Sequence, residues 1–124
     1  MIKGILINPY DKSFEHTYLS SKLEDKEISI LCNCERFAKR SFVYSNYGTH
    51  DDIDHKPVIY LDAVGFGKKN QRYFKIYHRL FAGTCLILRD TTEGGGSSTT
   101  LSLEKVEELV TWVDHSFIEG NELC

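Results

Sequence analysis

Two prolines, one methionine, one tryptophan and no long apolar run: the scarcities of this 124-residue chain narrow its class first. No stretch approaches the roughly 20 apolar residues of a membrane-spanning helix. The opening MIKGILINPY has an apolar core of only a few residues and no small-residue cleavage site behind it, so an export signal is not expected. We therefore expect a cytoplasmic protein with no membrane partner. Fifteen Lys and Arg against 18 Asp and Glu leave a net charge of −3, which gives no general attraction to nucleic acid or anionic lipid. A local basic patch is compatible with that background.

Cysteine pairs of the metal-binding or redox kind are missing as well. Cys32 and Cys34 form C-x-C, not C-x-x-C, and no second pair follows. Cys85 lies within an apolar run, and Cys124 is the last residue of the sequence. The expectation is reduced thiols, with Cys32 and Cys85 in the core, and neither a disulfide framework nor a cysteine zinc site. Motifs of nucleophilic catalysis are absent too: there is no G-x-S-x-G elbow and no protease-like cysteine context. Asp62 in VIYLDAV has no partner identifiable from sequence. No catalytic residue is assigned.

Glycine is concentrated at Gly94, Gly95 and Gly96, ahead of a hydroxyl-rich run. A phosphate loop needs G-x-x-x-x-G-K-[ST], and a dinucleotide fingerprint needs G-x-G-x-x-G leading into a helix; neither is here. Glu93 and Glu104 would repel a phosphate. Residues 91–101 read as a flexible Gly/Ser/Thr strap before the C-terminal helix.

The remaining chain supplies a single α+β domain over residues 1–124, with strands and helices in mixed order. Residues 2–7 are apolar and β-branched, Asn8 to Ser13 carry turn chemistry, and Phe14, His16 and Tyr18 alternate with Glu15 and Thr17: a hairpin. Ser21 and Glu24 fit a capping box, predicting a helix over 21–32 with Leu23, Glu27, Ile30, Leu31 and Cys34 on one face. Residues 37–45, 58–64, 73–77 and 81–89 read as strands, and Gly83 suggests a bulge or a close backbone approach. Ser102 caps a last helix, on which Leu103, Val106, Val110, Val113 and Phe117 share one face. The expected architecture is a mainly antiparallel sheet of about five strands with two helices packed on it.

Two stretches carry chemistry. KKNQRYFKIYHR, residues 68–79, holds Lys68, Lys69, Arg72, Lys75 and Arg79 with no acid, interleaved with Tyr73, Phe74 and Tyr77. Cations can meet phosphates while rings stack on bases, so Lys68, Lys69, Arg72, Tyr73, Lys75, Tyr77 and Arg79 are candidate contacts for nucleic acid or a nucleotide-like ligand. The same pattern also suits an edge strand whose lysines discourage aggregation. The second stretch is His50-Asp51-Asp52-Ile53-Asp54-His55, where His50, Asp51, Asp52, Asp54 and His55 offer mixed nitrogen and oxygen donors to a divalent metal such as zinc, manganese or iron. It lacks H-E-x-x-H and EF-hand spacing, and a solvated acidic loop explains it equally. No cofactor is otherwise implied.

The run MIKGILINPYDKSF, the short S-x-x-E helix, VIYLDAVG, and FAGTCLIL followed by an amphipathic helix resemble a family of small phage and plasmid proteins catalogued as a domain of unknown function. The matching positions are Ile2 to Pro9, Leu23 to Leu31, Tyr60 to Gly65 and Leu80 to Leu88. The longer loop from Asn46 to Pro57 and the glycine strap depart from that pattern. The resemblance brings no catalytic residues and implies an accessory role in a mobile element, in the host cytoplasm if phage-encoded. The leading expectation is thus a non-enzymatic accessory protein that binds a macromolecule or nucleotide-like ligand through its basic–aromatic segment. A metal-binding module or metal-dependent enzyme using the His50 to His55 loop is one alternative. A structural or oligomeric interaction protein, with symmetric contacts at a sheet edge or the Trp112 face making a homodimer, is another.

Overall fold

The computed structural model describes residues 1–41, 57–76, 79–90 and 96–113. Among these the order is β1 (Ile2–Asn8), β2 (Ser13–Leu19), α1 (Asp25–Leu31), β3 (Phe37–Ser41), β4 (Pro57–Asp62), β5 (Tyr73–Ile76), β6 (Arg79–Ala82), β7 (Cys85–Asp90), β8 (Gly96–Ser97), α2 (Leu103–Leu109) and β9 (Val110–Trp112). The ladders between them are antiparallel, as the α+β expectation requires. The expected single sheet of about five strands is instead two sheets. The larger has six strands, in the order β2-β1-β7-β4-β3 with β8 added to β7, and the smaller has three, β6-β5-β9.

The pairing follows from where apolar side chains lie. β4 and β7 are apolar on both faces, the pattern of strands covered on both sides. Val58, Tyr60, Leu86 and Leu88 turn toward α1, packing with Leu19, Ile28 and Cys32. Ile59, Leu61, Cys85 and Ile87 turn the other way, joining Ile5 and Ile7 against Phe74, Ile76 and Phe81 of the small sheet and Val106 and Leu109 of α2. The larger sheet is therefore the middle layer. Each such fully buried aliphatic or aromatic side chain stabilises the fold by about 1.5–3 kcal/mol relative to exposure.

The N-terminal hairpin forms as its turn chemistry dictates. Asn8 Oδ1 accepts the Tyr10 backbone N–H at 2.9 Å, and Lys12 takes a left-handed φ of 56° before Ser13 pairs back to Asn8. Several other elements depart from expectation. The first helix starts at Asp25, not near Ser21, because the capping box is Glu24 with Glu27, whose carboxylate also takes the Ser20 backbone N–H at 2.9 Å. This rotates the buried face: Ile28 is buried, whereas Ile30 is 67% exposed.

Residues 81–89 are not one strand. Gly83, at φ 78°, turns the chain out of the small sheet and into the large one. Nor is β5 an edge, since β6 and β9 flank it. The last helix stops at Leu109, and Val110 adopts an extended backbone at φ −91°, ψ 134°. β-Branched and aromatic Val110, Thr111 and Trp112 are better strand than helix residues, and β5 offers them an edge. They pair there as Ile76 with Val110 and Phe74 with Trp112. Phe117 lies outside the described residues.

The strap is held from Gly96 onward. Gly96 and Ser97 pair with Asp90 and Arg89, the Lys3 N–H donates to Ser98 Oγ at 2.8 Å, and the Thr99 N–H donates to the Lys3 carbonyl at 2.9 Å. A Cβ at Gly96 would lie 2.5 Å from Leu23 Cδ2, so this glycine admits a close approach. Residues 96–101 are thus tied to the large sheet by hydrogen bonds; residues 91–95 lie outside the description. Among the described residues no helix is long and apolar enough to cross a membrane.

Candidate functional site

At the end of the large sheet where β1 and β4 finish and β7 begins, three connections meet: residues 9–12, 63–72 and 83–84. The second winds through consecutive tight turns, with backbone bonds from Gly65 to Asp62, Lys68 to Gly65 and Gln71 to Lys68 at 3.2–3.4 Å. Gly67 then donates its N–H to the Tyr73 hydroxyl at 3.1 Å.

Gln71 ties the three together. It is 5% exposed, and its Nε2 donates to the Gly65 carbonyl at 2.8 Å. Its Oε1 accepts the Tyr10 hydroxyl and the Arg72 N–H. The Gly83 N–H donates to the Arg72 carbonyl at 2.8 Å, and a Cβ at Gly83 would sit 3.3 Å from Gln71 Oε1. A buried amide bonded through both its nitrogen and its oxygen rigidifies what it touches, because losing any partner strands a desolvated polar group.

Beside it, Asp62 is 6% exposed at the end of β4. Its Oδ1 accepts the Val64 N–H at 3.0 Å and its Oδ2 pairs with the Lys68 ammonium. That hydrogen bond holds the Lys68 ammonium above its ordinary pKa. The carboxylate that sequence left without a partner thus has one, six residues on. Burial, and then the Asp62 charge, push the Cys34 thiol upward, while burial pushes Cys32 up to about 12. Cys32 and Cys85 are buried and reduced, as expected, and Cys34 is reduced and half-buried.

Two depressions flank this network. One, of about 830 Å³, lies between the end of α1 and the Asp62–Lys68 pair, with Lys26, Cys34, Arg36 and the exposed apolar Ile30 and Val64 on its walls. The other, of about 470 Å³, is a groove lined by Pro9, Tyr10, Lys12, Arg72, Tyr73, Trp112 and Val113. Among the described residues its lining has two cations, three aromatic rings and no carboxylate. Tyr10 also borders a smaller cleft that includes Lys68, Lys69 and Gln71.

The basic segment is therefore divided. Lys68 is engaged by Asp62, Lys69 faces the small cleft, and Arg72 enters the groove. Tyr73 is 4% exposed, its ring 5.9 Å from that of Phe66, so only part of it can meet a ligand. Lys75 lies on the face of β5 opposite core residues Phe74 and Ile76. Arg79 donates to the Ser41 carbonyl at 2.6 Å, next to the start of β4, at the other end of the large sheet from Asp62. Tyr77 lies outside the described residues. So do His50, Asp51, Asp52, Asp54 and His55, and with them any attraction between that loop and the basic segment. Among the described residues no three His, Cys, Asp or Glu side chains are grouped to hold a metal.

Sequence reasoning missed Tyr10, Lys12 and Gln71, and named Trp112 only as a face for contacts between copies of the chain. The hairpin turn was legible and could have marked Tyr10 and Lys12 as projecting residues. The helical assignment of Trp112 concealed its place on β9 beside Arg72. Compared with protein-family models, curated proteins and solved structures, the chain matches none of them.

Proposed function

We propose that this chain is a small, non-catalytic binding protein that holds an anionic partner, nucleic acid or a nucleotide-like ligand, at the turn-rich end of its larger sheet. The observation that carries the reading is the groove in which Lys12 and Arg72 meet Tyr10 and Trp112 with no carboxylate among the described lining residues. Neither cation has an ion-pair partner among the described residues. Arg72, half-buried and without a counter-charge among the described residues, favours an anion from outside, and its planar guanidinium suits phosphate. The aromatic rings supply surface on which a base can stack. The resemblance to phage and plasmid proteins makes the role an accessory one within a mobile element.

Binding of a single-stranded oligonucleotide, measured across salt concentrations, tests the reading. Two or three phosphate contacts predict a log–log slope of about −1.4 to −2.1, at ~0.7 per contact. Arg72→Glu should abolish binding, and Lys22→Glu, on the exposed turn before α1, should not. No binding of oligonucleotide or nucleotide at low salt by folded protein would remove the proposal.

A further inference from the structure

We infer that the groove between the first hairpin turn and Arg72 takes a single nucleoside monophosphate, its phosphate on Lys12 and Arg72 and its base against Tyr10 and Trp112, with little preference among bases; this rests on the binding reading above. The arrangement of cations argues for one nucleotide over a polymer. A strand-tracking surface needs a continuous positive path with successive rings. Here Lys68 is neutralised by Asp62, and Arg79 lies at the far end of the large sheet. Two cations converge on the groove, enough for one phosphate group. A volume of about 470 Å³ falls within the ~300–1,000 Å³ of small-molecule sites.

The walls are fixed before any ligand arrives. The Tyr10 hydroxyl is anchored to Gln71, which orients its ring, itself 54% exposed. Trp112 is held on the Phe14 ring at 5.1 Å and edge-on to Phe74 at 6.3 Å. The Arg72 backbone is bonded on both sides, to Gln71 Oε1 and to the Gly83 N–H. A site held this way loses little freedom on binding. Among the described residues its lining has no Asn, Gln, Asp or Glu side chain to read a base edge. Stacking alone then distinguishes bases, so larger purines bind somewhat better than pyrimidines.

Trp112 is the only tryptophan in the chain, so its fluorescence reports on this groove directly. The intact protein is titrated separately with adenosine monophosphate, uridine monophosphate, adenosine, inorganic phosphate and a single-stranded oligonucleotide. Both monophosphates should change the emission saturably, the adenine compound binding more tightly, while adenosine and phosphate alone bind at least about tenfold more weakly. Arg72→Ala should weaken monophosphate binding by about tenfold or more, the loss of a charge-assisted contact. Lys12→Asn gives a second test if Arg72→Ala fails to fold, since asparagine tolerates the left-handed backbone at that position. Equal binding of adenosine and its monophosphate, or binding unaffected by both substitutions, overturns the inference. Binding of the oligonucleotide without either monophosphate overturns it and leaves the broader reading standing. Binding of none of these removes both.

Discussion

The ring of Phe14 in β2 lies on the indole of Trp112 in β9, with centroids 5.1 Å apart and planes inclined by 29°. One residue belongs to the larger sheet and the other to the smaller, so this stack joins the two. Phe14→Leu keeps an apolar side chain but removes the ring–ring contribution of about 0.5–1.5 kcal/mol. The urea midpoint should fall accordingly and Trp112 emission should shift. Unchanged emission would mean that the two rings do not meet in solution.

Gly4 sits where β1 passes the central strand. A methyl group there would lie 2.8 Å from Leu88 Cδ2, 2.9 Å from Leu86 Cδ1 and 3.0 Å from the Ile87 carbonyl oxygen. Both leucines are fully buried and cannot swing away into solvent. Gly4→Ala should therefore destabilise by about 1–3 kcal/mol despite alanine's better backbone entropy. A stabilised variant would show that β1 stands further from β7.

Stability should respond to pH at two places of opposite sign. Bonds from the Ser20 hydroxyl and backbone N–H hold the Glu27 carboxyl below its ordinary value of 4.5. Its contribution is present above that value and is lost as pH falls through the lower, folded value. Lys68 is the reverse: held above 10.5 by Asp62, it stabilises below that value and loses the contribution as pH rises through the folded one. Glu27→Gln should be less stable than the parent at neutral pH, the difference closing in acid. Lys68→Met should show a difference that closes in alkali. Unfolding curves that stay parallel across pH would contradict both assignments.

Thiol reactivity should rank by burial. In a Cys124→Ser background, Cys34 should react first with a chromogenic disulfide at pH 8. Cys32, with its thiol pushed up to about 12, and Cys85, pushed up more strongly by burial, should react only as the protein unfolds. Modification of Cys32 as fast as Cys34 would place α1 away from the sheet.

Alternation and turn residues made the β1–β2 hairpin legible, and β4 stood out as an apolar run, the pattern of a strand covered on both faces. Helical periodicity was less reliable. Val106, Val110 and Val113 are spaced for one helical face, yet the chain leaves the helix after Leu109 because pairing with β5 offers Val110 and Trp112 both backbone bonds and burial. Glu24 and Glu27 supplied the same capping chemistry as Ser21 and Glu24, shifted by three residues, and local sequence could not choose between them. The basic segment was visible as composition. That Lys68 would meet Asp62, and that Arg72 would face Tyr10 and Trp112 from distant parts of the chain, depends on tertiary contacts that no local window contains.

β7 has consequences for the order of assembly. β1 and β2 form one hairpin and β3 and β4 pair with each other, but the large sheet joins these halves through the strand that runs from Cys85 to Asp90. Among the described residues, a nascent chain that has emerged only as far as Ile76 has no ladder between its two halves, and waits for late residues to stitch them. Ribosome-stalled fragments ending before Cys85 should accordingly remain protease-sensitive, and resistance should arise abruptly once β7 clears the exit tunnel.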